Sequence, residues 1–116
     1  MTHYTGGCQC GAVRYEVDCT LDHPISCNCS RCGKLGSVLV FAPKGDFRLL
    51  SGEGDLTEYR FNTGRIRHLF CKVCGIESFA YGKGRDGAEV AAINVNCLDG
   101  VDPRTLSVTF YDGKAR

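Results

Sequence analysis

Seven of the nine cysteines in this 116-residue chain fall into three tight clusters. Cys8 and Cys10 form C-x-C, Cys27, Cys29 and Cys32 form C-x-C-x-x-C, and Cys71 and Cys74 form C-x-x-C. Thiolates at such spacings hold soft divalent metals, and all-thiolate sites favour zinc over hard cations. Nine is odd, so disulfides alone cannot pair every thiol. In a strand, residues two apart share a face, so each C-x-C is expected to present two thiolates to one ion. A C-x-x-C closes a turn around an ion in the same way. Glycine follows the last cysteine of each cluster, at Gly11, Gly33 and Gly75. Positive φ is expected there, curling the turn so that backbone N–H groups point at sulfur.

Seven ligands divide as four plus three. Structural zinc is tetrahedral and closed, whereas catalytic zinc keeps three protein ligands and an open position. The pairs Cys8/Cys10 and Cys71/Cys74 make a closed four-thiolate site that ties the N-terminal segment to a distant loop. Its value would be folding energy. The triplet Cys27, Cys29 and Cys32 makes a three-thiolate site where chemistry could occur. The alternative is that Cys97 or Cys19 supplies a fourth thiolate and closes it. Otherwise Cys97 reads as a small buried hydrophobe and Cys19 as a loop thiol. With both sites filled, seven thiolates and two Zn²⁺ ions move the formal charge from +1 to about −2.

The elements that must position these thiols are mostly short strands. Residues 13–17 alternate apolar and polar, and residues 37–43 form a continuous apolar run ended by proline. Further strands are expected over residues 46–52, 56–61, 65–71, 76–82, 89–96 and 106–111, with a hairpin-like loop at Asn62, Thr63 and Gly64. One helical turn is expected at residues 30–35. The fold class is therefore mainly β, with antiparallel sheets, in one domain spanning residues 1–116.

Several functions are disfavoured. No apolar run of about 18 residues exists to span a membrane. The first residues carry no secretory-signal pattern, so a reducing, cytoplasmic location is expected. Near-neutral charge argues against a nucleic-acid partner. Gly82, Gly84 and Gly87 match G-x-G-x-x-G, but a strand follows them instead of a helix, so a hairpin loop is expected. Arg65, Arg67, Lys72, Lys83 and Arg85 could attract carboxylates, though a solvated sheet edge is the simpler reading. His68, three residues before Cys71, could be an acid/base group, a donor to a thiolate, or a satisfied strand histidine. His3 and His23 read as surface residues. Asn94, Asn96 and Cys97 could border a pocket.

The segments GGCQCGAVRYEV, CNCSRCGKLG, HLFCKVCG and INVNCLDGVDP together resemble the glutathione-dependent formaldehyde-activating enzyme family, which also includes centromere protein V. They run in the family's order across nearly the whole chain. The resemblance implies a β-tent of sheets stapled by two zinc ions. It assigns Cys8, Cys10, Cys71 and Cys74 to a structural zinc, and Cys27, Cys29 and Cys32 to a catalytic zinc. It implies a carbon–sulfur lyase that forms or cleaves an S-hydroxymethyl adduct between a glutathione-like thiol and formaldehyde or another small aldehyde. No motif assigns glutathione recognition, and the oligomeric state stays open. Two other readings stand beside it. One is a non-catalytic zinc-stabilised binding module with a closed second site. The other is a redox or metal sensor built on clustered thiols.

Overall fold

The fold was taken from a computed structural model, which describes residues 1–61, 64–84 and 86–113. Ten strands and one helical turn follow in order: β1 (Thr2–Gly7), β2 (Arg14–Cys19), β3 (Ile25–Cys27), α1 (Cys32–Leu35), β4 (Val38–Pro43), β5 (Phe47–Ser51), β6 (Leu56–Tyr59), β7 (Arg67–Cys71), β8 (Phe79–Lys83), β9 (Glu89–Asn94) and β10 (Thr109–Tyr111). They form a three-stranded sheet, β1-β2-β5, and a seven-stranded sheet, β10-β3-β4-β9-β8-β7-β6. The protein is mainly β, and all pairings are antiparallel except β10 against β3, which is parallel.

Alternation explains how the sheets face each other. In β2, Tyr15, Val17 and Cys19 are buried while Arg14, Glu16 and Asp18 lie on the other side. In β9, Ala91 and Ile93 turn inward. The two inner faces meet in an aromatic cluster. Tyr15 and Phe47 come from the small sheet, with ring centroids 5.0 Å apart. Phe79 of the large sheet lies 4.8 Å from Phe47 and edge-on to Tyr15 at 5.6 Å. Such rings combine large apolar burial with favourable tilted or edge-to-face contact. The buried Tyr15 hydroxyl donates to the Ser78 carbonyl at 3.1 Å, so the core leaves that polar atom satisfied.

Five sequence expectations are corrected. Neither β1 nor β3 was foreseen, because THYTGG lacks an apolar alternation and ISC is only three residues long. The strand expected from residue 76 begins at Phe79. The strand over residues 89–96 ends at Asn94, whose side chain accepts from the Asn96 N–H at 3.2 Å and starts a 3₁₀ turn over Val95–Cys97. The C-x-C pairs do not lie within strands. Cys8 and Cys10 follow the end of β1, and Cys27 ends β3 with Cys29 beyond it. Gly11 and Gly75 have φ of +84° and +79°, but Gly33 sits inside α1, and it is Gly36, at +68°, that ends the helix.

Gly84 and Gly87 lie in the hairpin joining β8 to β9, with the Gly84 N–H on the Ala88 carbonyl at 2.8 Å. A strand on each side leaves no helix N-terminus for a pyrophosphate. Asn62, Thr63 and Arg85 lie outside the described residues.

Candidate metal centres and the cavity beside one of them

The hairpin between β1 and β2 carries the first pair of thiols. Cys8 N–H donates to the Val13 carbonyl at 3.1 Å, and the Val13 N–H returns to Cys8 Sγ at 3.3 Å. Cys71 ends β7 in the other sheet, and its carbonyl accepts from the Gly75 N–H at 2.8 Å, which closes the Cys71–Cys74 turn. The four sulfurs of Cys8, Cys10, Cys71 and Cys74 all lie within 4.8 Å of one another. Cys8 Sγ and Cys10 Sγ are 3.6 Å apart, and Cys10 Sγ and Cys71 Sγ 3.7 Å. Tetrahedral zinc with Zn–S of about 2.3 Å requires about 3.8 Å between sulfurs. The donor set and its spacing therefore fit that ion. Backbone N–H groups of Cys10 and Ile76 bring the Cys74 thiol down to about 6, because hydrogen bonds from N–H favour the thiolate.

The second group is Cys27, Cys29 and Cys32, all half-buried, with sulfurs also within 4.8 Å of one another. Cys27 sits at the end of β3, Cys29 in the following turn and Cys32 at the first position of α1. Cys29 N–H points to Cys27 Sγ at 3.4 Å, and Cys32 N–H to Cys29 Sγ at 3.3 Å. The bond from Cys32 N–H helps lower the Cys29 thiol's pKa, and three soft donors with backbone support fit zinc with one protein ligand fewer than a closed site. Burial, together with the Cys29 thiol, pushes the Cys32 thiol up to about 12.

Among the described residues no fourth cysteine joins this group. Cys97 instead lines a groove with Cys8, Arg14 and Asp99. Cys19 is buried in the core, paired with Thr2 across β1 and β2. The chain does come close on one side. Gly113, just beyond β10, is placed so that a Cβ there would lie 2.6 Å from Cys27 Sγ and 3.1 Å from Cys29 Cβ.

All three thiols of the second group line a cavity of about 240 Å³. Its walls are mostly apolar, with Ile25, Leu39, Phe41, Ile66, Phe79 and Ala92 prominent. His68 also lines it, from the middle of β7. The ring is 4% exposed and stacks on Phe61 at 5.3 Å. His68 Nδ1 lies 2.9 Å from Glu77 Oε2. Glu77 Oε1 in turn accepts from Arg31 Nε at 2.9 Å and Nη2 at 2.7 Å. Arg31 lies over the Tyr59 ring at 4.7 Å. With Glu77 as acceptor, Nδ1 carries a hydrogen. His68 Nε2 is buried and has no hydrogen-bond partner among the described residues. The reading of His68 as a fully satisfied strand residue is thus only half met.

Glu77 and Arg31 were not singled out in the sequence. Arg31 lies inside CNCSRC, and an arginine amid metal ligands was the available signal. Asn94 lines the cavity, but Asn96 and Cys97 face the groove beside Cys8. The sheet edge expected for the basic residues is corrected: Arg67 lies on β7 and Lys83 on β8, both inside the large sheet, whose edge strands are β10 and β6. Arg67 pairs with Glu58 at 2.7 Å and Lys72 with Asp55 at 3.8 Å, and none of Arg65, Arg67, Lys72 and Lys83 lines the cavity. His3 is an exposed partner of Asp18 at 2.9 Å. Among the described residues, no helix is long and apolar enough to cross a membrane.

The family model described as glutathione-dependent formaldehyde-activating enzyme matches residues 3–111. A crystal structure of a Rhodobacter sphaeroides protein is similar to this chain with a TM-score of 0.83 at 35% identity, covering 92% of this chain and 99% of that one.

Proposed function

This chain belongs to the glutathione-dependent formaldehyde-activating enzyme family, and from that premise we propose that it is a zinc-dependent carbon–sulfur lyase joining a thiol to a small aldehyde. The product would be an S-hydroxymethyl-type adduct, cleaved again in the reverse direction. The observation that carries this reading is that three clustered thiols and His68, whose buried Nε2 has no partner among the described residues, line one cavity. Cys8, Cys10, Cys71 and Cys74 would hold a structural zinc, and Cys27, Cys29 and Cys32 a catalytic one. Bound at the triplet, zinc supplies a Lewis acid that acidifies a thiol or polarises a carbonyl.

The chain's own residues supply the rest. Nδ1 bonded to Glu77 fixes the ring, as a base is fixed by an orienting carboxylate. Nε2 is then free to take the thiol proton and return it to the oxygen that was the carbonyl. Glu77 is itself held by Arg31, so the chain Arg31–Glu77–His68 is a single positioning unit. Apolar walls exclude water, which strengthens these interactions and suppresses side reactions. A cytoplasmic location follows from the same reading, since seven reduced thiols need a reducing compartment.

The test is adduct formation from glutathione and formaldehyde by zinc-loaded protein, followed against the spontaneous rate. Acceleration that disappears in Cys29→Ser, with one zinc per chain retained, supports the reading. A rate no faster than the spontaneous one across several thiols would sink it.

A further inference from the structure

The reading above leaves the aldehyde's size open, and the cavity bears on it. Formaldehyde occupies about as much space as one or two waters, whose share of the liquid is roughly 30 Å³ each. The cavity is about 240 Å³. An apolar cavity of about 150 Å³ stays dry and takes up a ligand the size of benzene. Formaldehyde alone would therefore leave most of this apolar wall unmatched.

Two further observations agree. Phe41 and Ile66, which line the cavity, are 51% and 47% exposed, so apolar surface continues from the interior to the outside. Among the described residues, Glu77 is the one carboxylate on the wall, it is already engaged by Arg31 and His68, and no lysine or arginine lines the cavity. Glutathione carries two carboxylates and an ammonium group. Burying them without partners is costly, so only its sulfur-bearing end can enter. The interior is then left to the aldehyde.

We infer that the preferred co-substrate is an unbranched aliphatic aldehyde of several carbons, with its chain along Leu39, Phe41, Ile66 and Ala92. This rests on the proposed thiol–aldehyde chemistry. In the step, the thiol sulfur forms a bond to the carbonyl carbon while the C=O π bond opens and its electron pair passes to oxygen. The proton leaving sulfur ends on that oxygen, by way of His68 Nε2. No oxidant or reductant is consumed, and the product is an S-(1-hydroxyalkyl) thiol.

The experiment uses the zinc-loaded full chain. Glutathione is paired with formaldehyde, propanal, butanal and pentanal, and kcat/KM is measured over the spontaneous rate. The expected result is a rise of about fourfold for each buried methylene. The Ala92→Phe variant, which fills the cavity, should return the preference to formaldehyde. Should that variant fail to fold, Ile66→Lys at the exposed rim should flatten the series instead. Separately, 1-pentanol as an inert probe should shift the methyl NMR signals of Leu39 and Ala92 at concentrations where methanol does not.

Acceleration of formaldehyde with a flat or falling aldehyde series overturns this inference and leaves the lyase reading standing. So does a gain seen only when alkanethiols of increasing length are paired with formaldehyde, because the chain would then belong to the thiol. No acceleration of any pair defeats the lyase reading itself. If 1-pentanol also leaves those methyls unmoved, the cavity assignment falls with it.

Discussion

His68 Nδ1 is held by Glu77 Oε2 at 2.9 Å, while Nε2 on the opposite side of the same ring is buried with no partner among the described residues. Buried polar atoms are nearly always paired, so an unpaired one calls for a role. Here the ring is oriented by a carboxylate that Arg31 anchors, and the unpaired nitrogen belongs to a ring lining the cavity of the three thiols.

Removing Nε2 should therefore cost activity more than structure. His68→Asn, in which the side-chain amide can still donate to Glu77, is expected to lower kcat by about 10²- to 10⁴-fold, the usual reach of general acid–base catalysis. Zinc content should stay at two per chain. Glu77→Gln should reduce kcat less and also move a limb of the pH–rate profile, because Glu77 acts through the ring. Unchanged kcat in His68→Asn, at full zinc, would assign the histidine a packing role only.

Gly113 should be intolerant of any side chain. A Cβ there would come within 2.6 Å of Cys27 Sγ, closer than real Cβ atoms approach other atoms. Gly113→Ala should weaken the metal at the triplet and leave the four-thiolate site loaded. Zinc stoichiometry falling towards one per chain in a chelator titration is the expected readout. A full two zinc per chain with wild-type chelator resistance would contradict this placement.

The two cysteine groups should differ in what their loss does. Cys71 is fully buried and joins elements of both sheets, whereas the triplet lines a cavity. Cys71→Ser is expected to destabilise the fold by several kcal/mol, because structural zinc contributes folding free energy directly. Cys29→Ser should leave most of the stability and abolish turnover. Denaturant unfolding of both variants, alongside their zinc content, separates the two. Equal destabilisation would mean both groups are structural.

Stability should fall on the alkaline side. Burial pushes the Cys97 thiol up to about 11, and burial likewise holds the Tyr15 hydroxyl far above its ordinary range. For each, the folded state keeps the proton longer than the unfolded chain does. The associated stability is fully present below the unfolded pKa, about 8.5 for a thiol. For Cys97 it is lost as pH rises towards about 11, since the unfolded state then gains from ionising. Melting temperature of the zinc-loaded protein, measured from pH 8 to 11, should drop over that window. Cys97→Ala should drop less, with the Tyr15 share remaining. Identical curves for wild type and variant would remove Cys97 from this account.

The sequence by itself determined the grouping of the thiols and the β class. Cysteine spacing within Cys8–Cys10, Cys27–Cys32 and Cys71–Cys74 is local, so it can be read from the chain directly. Alternation in RYEVDC likewise reports a half-buried strand without reference to anything distant. Short or polar strands such as β1 and β3 escaped, because their pairing comes from partners and not from their own pattern. Only the tertiary structure decided the surroundings of the triplet. Arg31, His68 and Glu77 carry no mutual spacing signature, and β7 and the segment before β8 bring them together. The cavity is assembled from β3, β4, β7, β8, β9 and β10, and Gly113 reaches Cys27 only because β10 pairs in parallel with β3. Ligand spacing is a property of neighbouring residues. A reaction environment is a sum of long-range contacts, and those exist only once the sheets have closed.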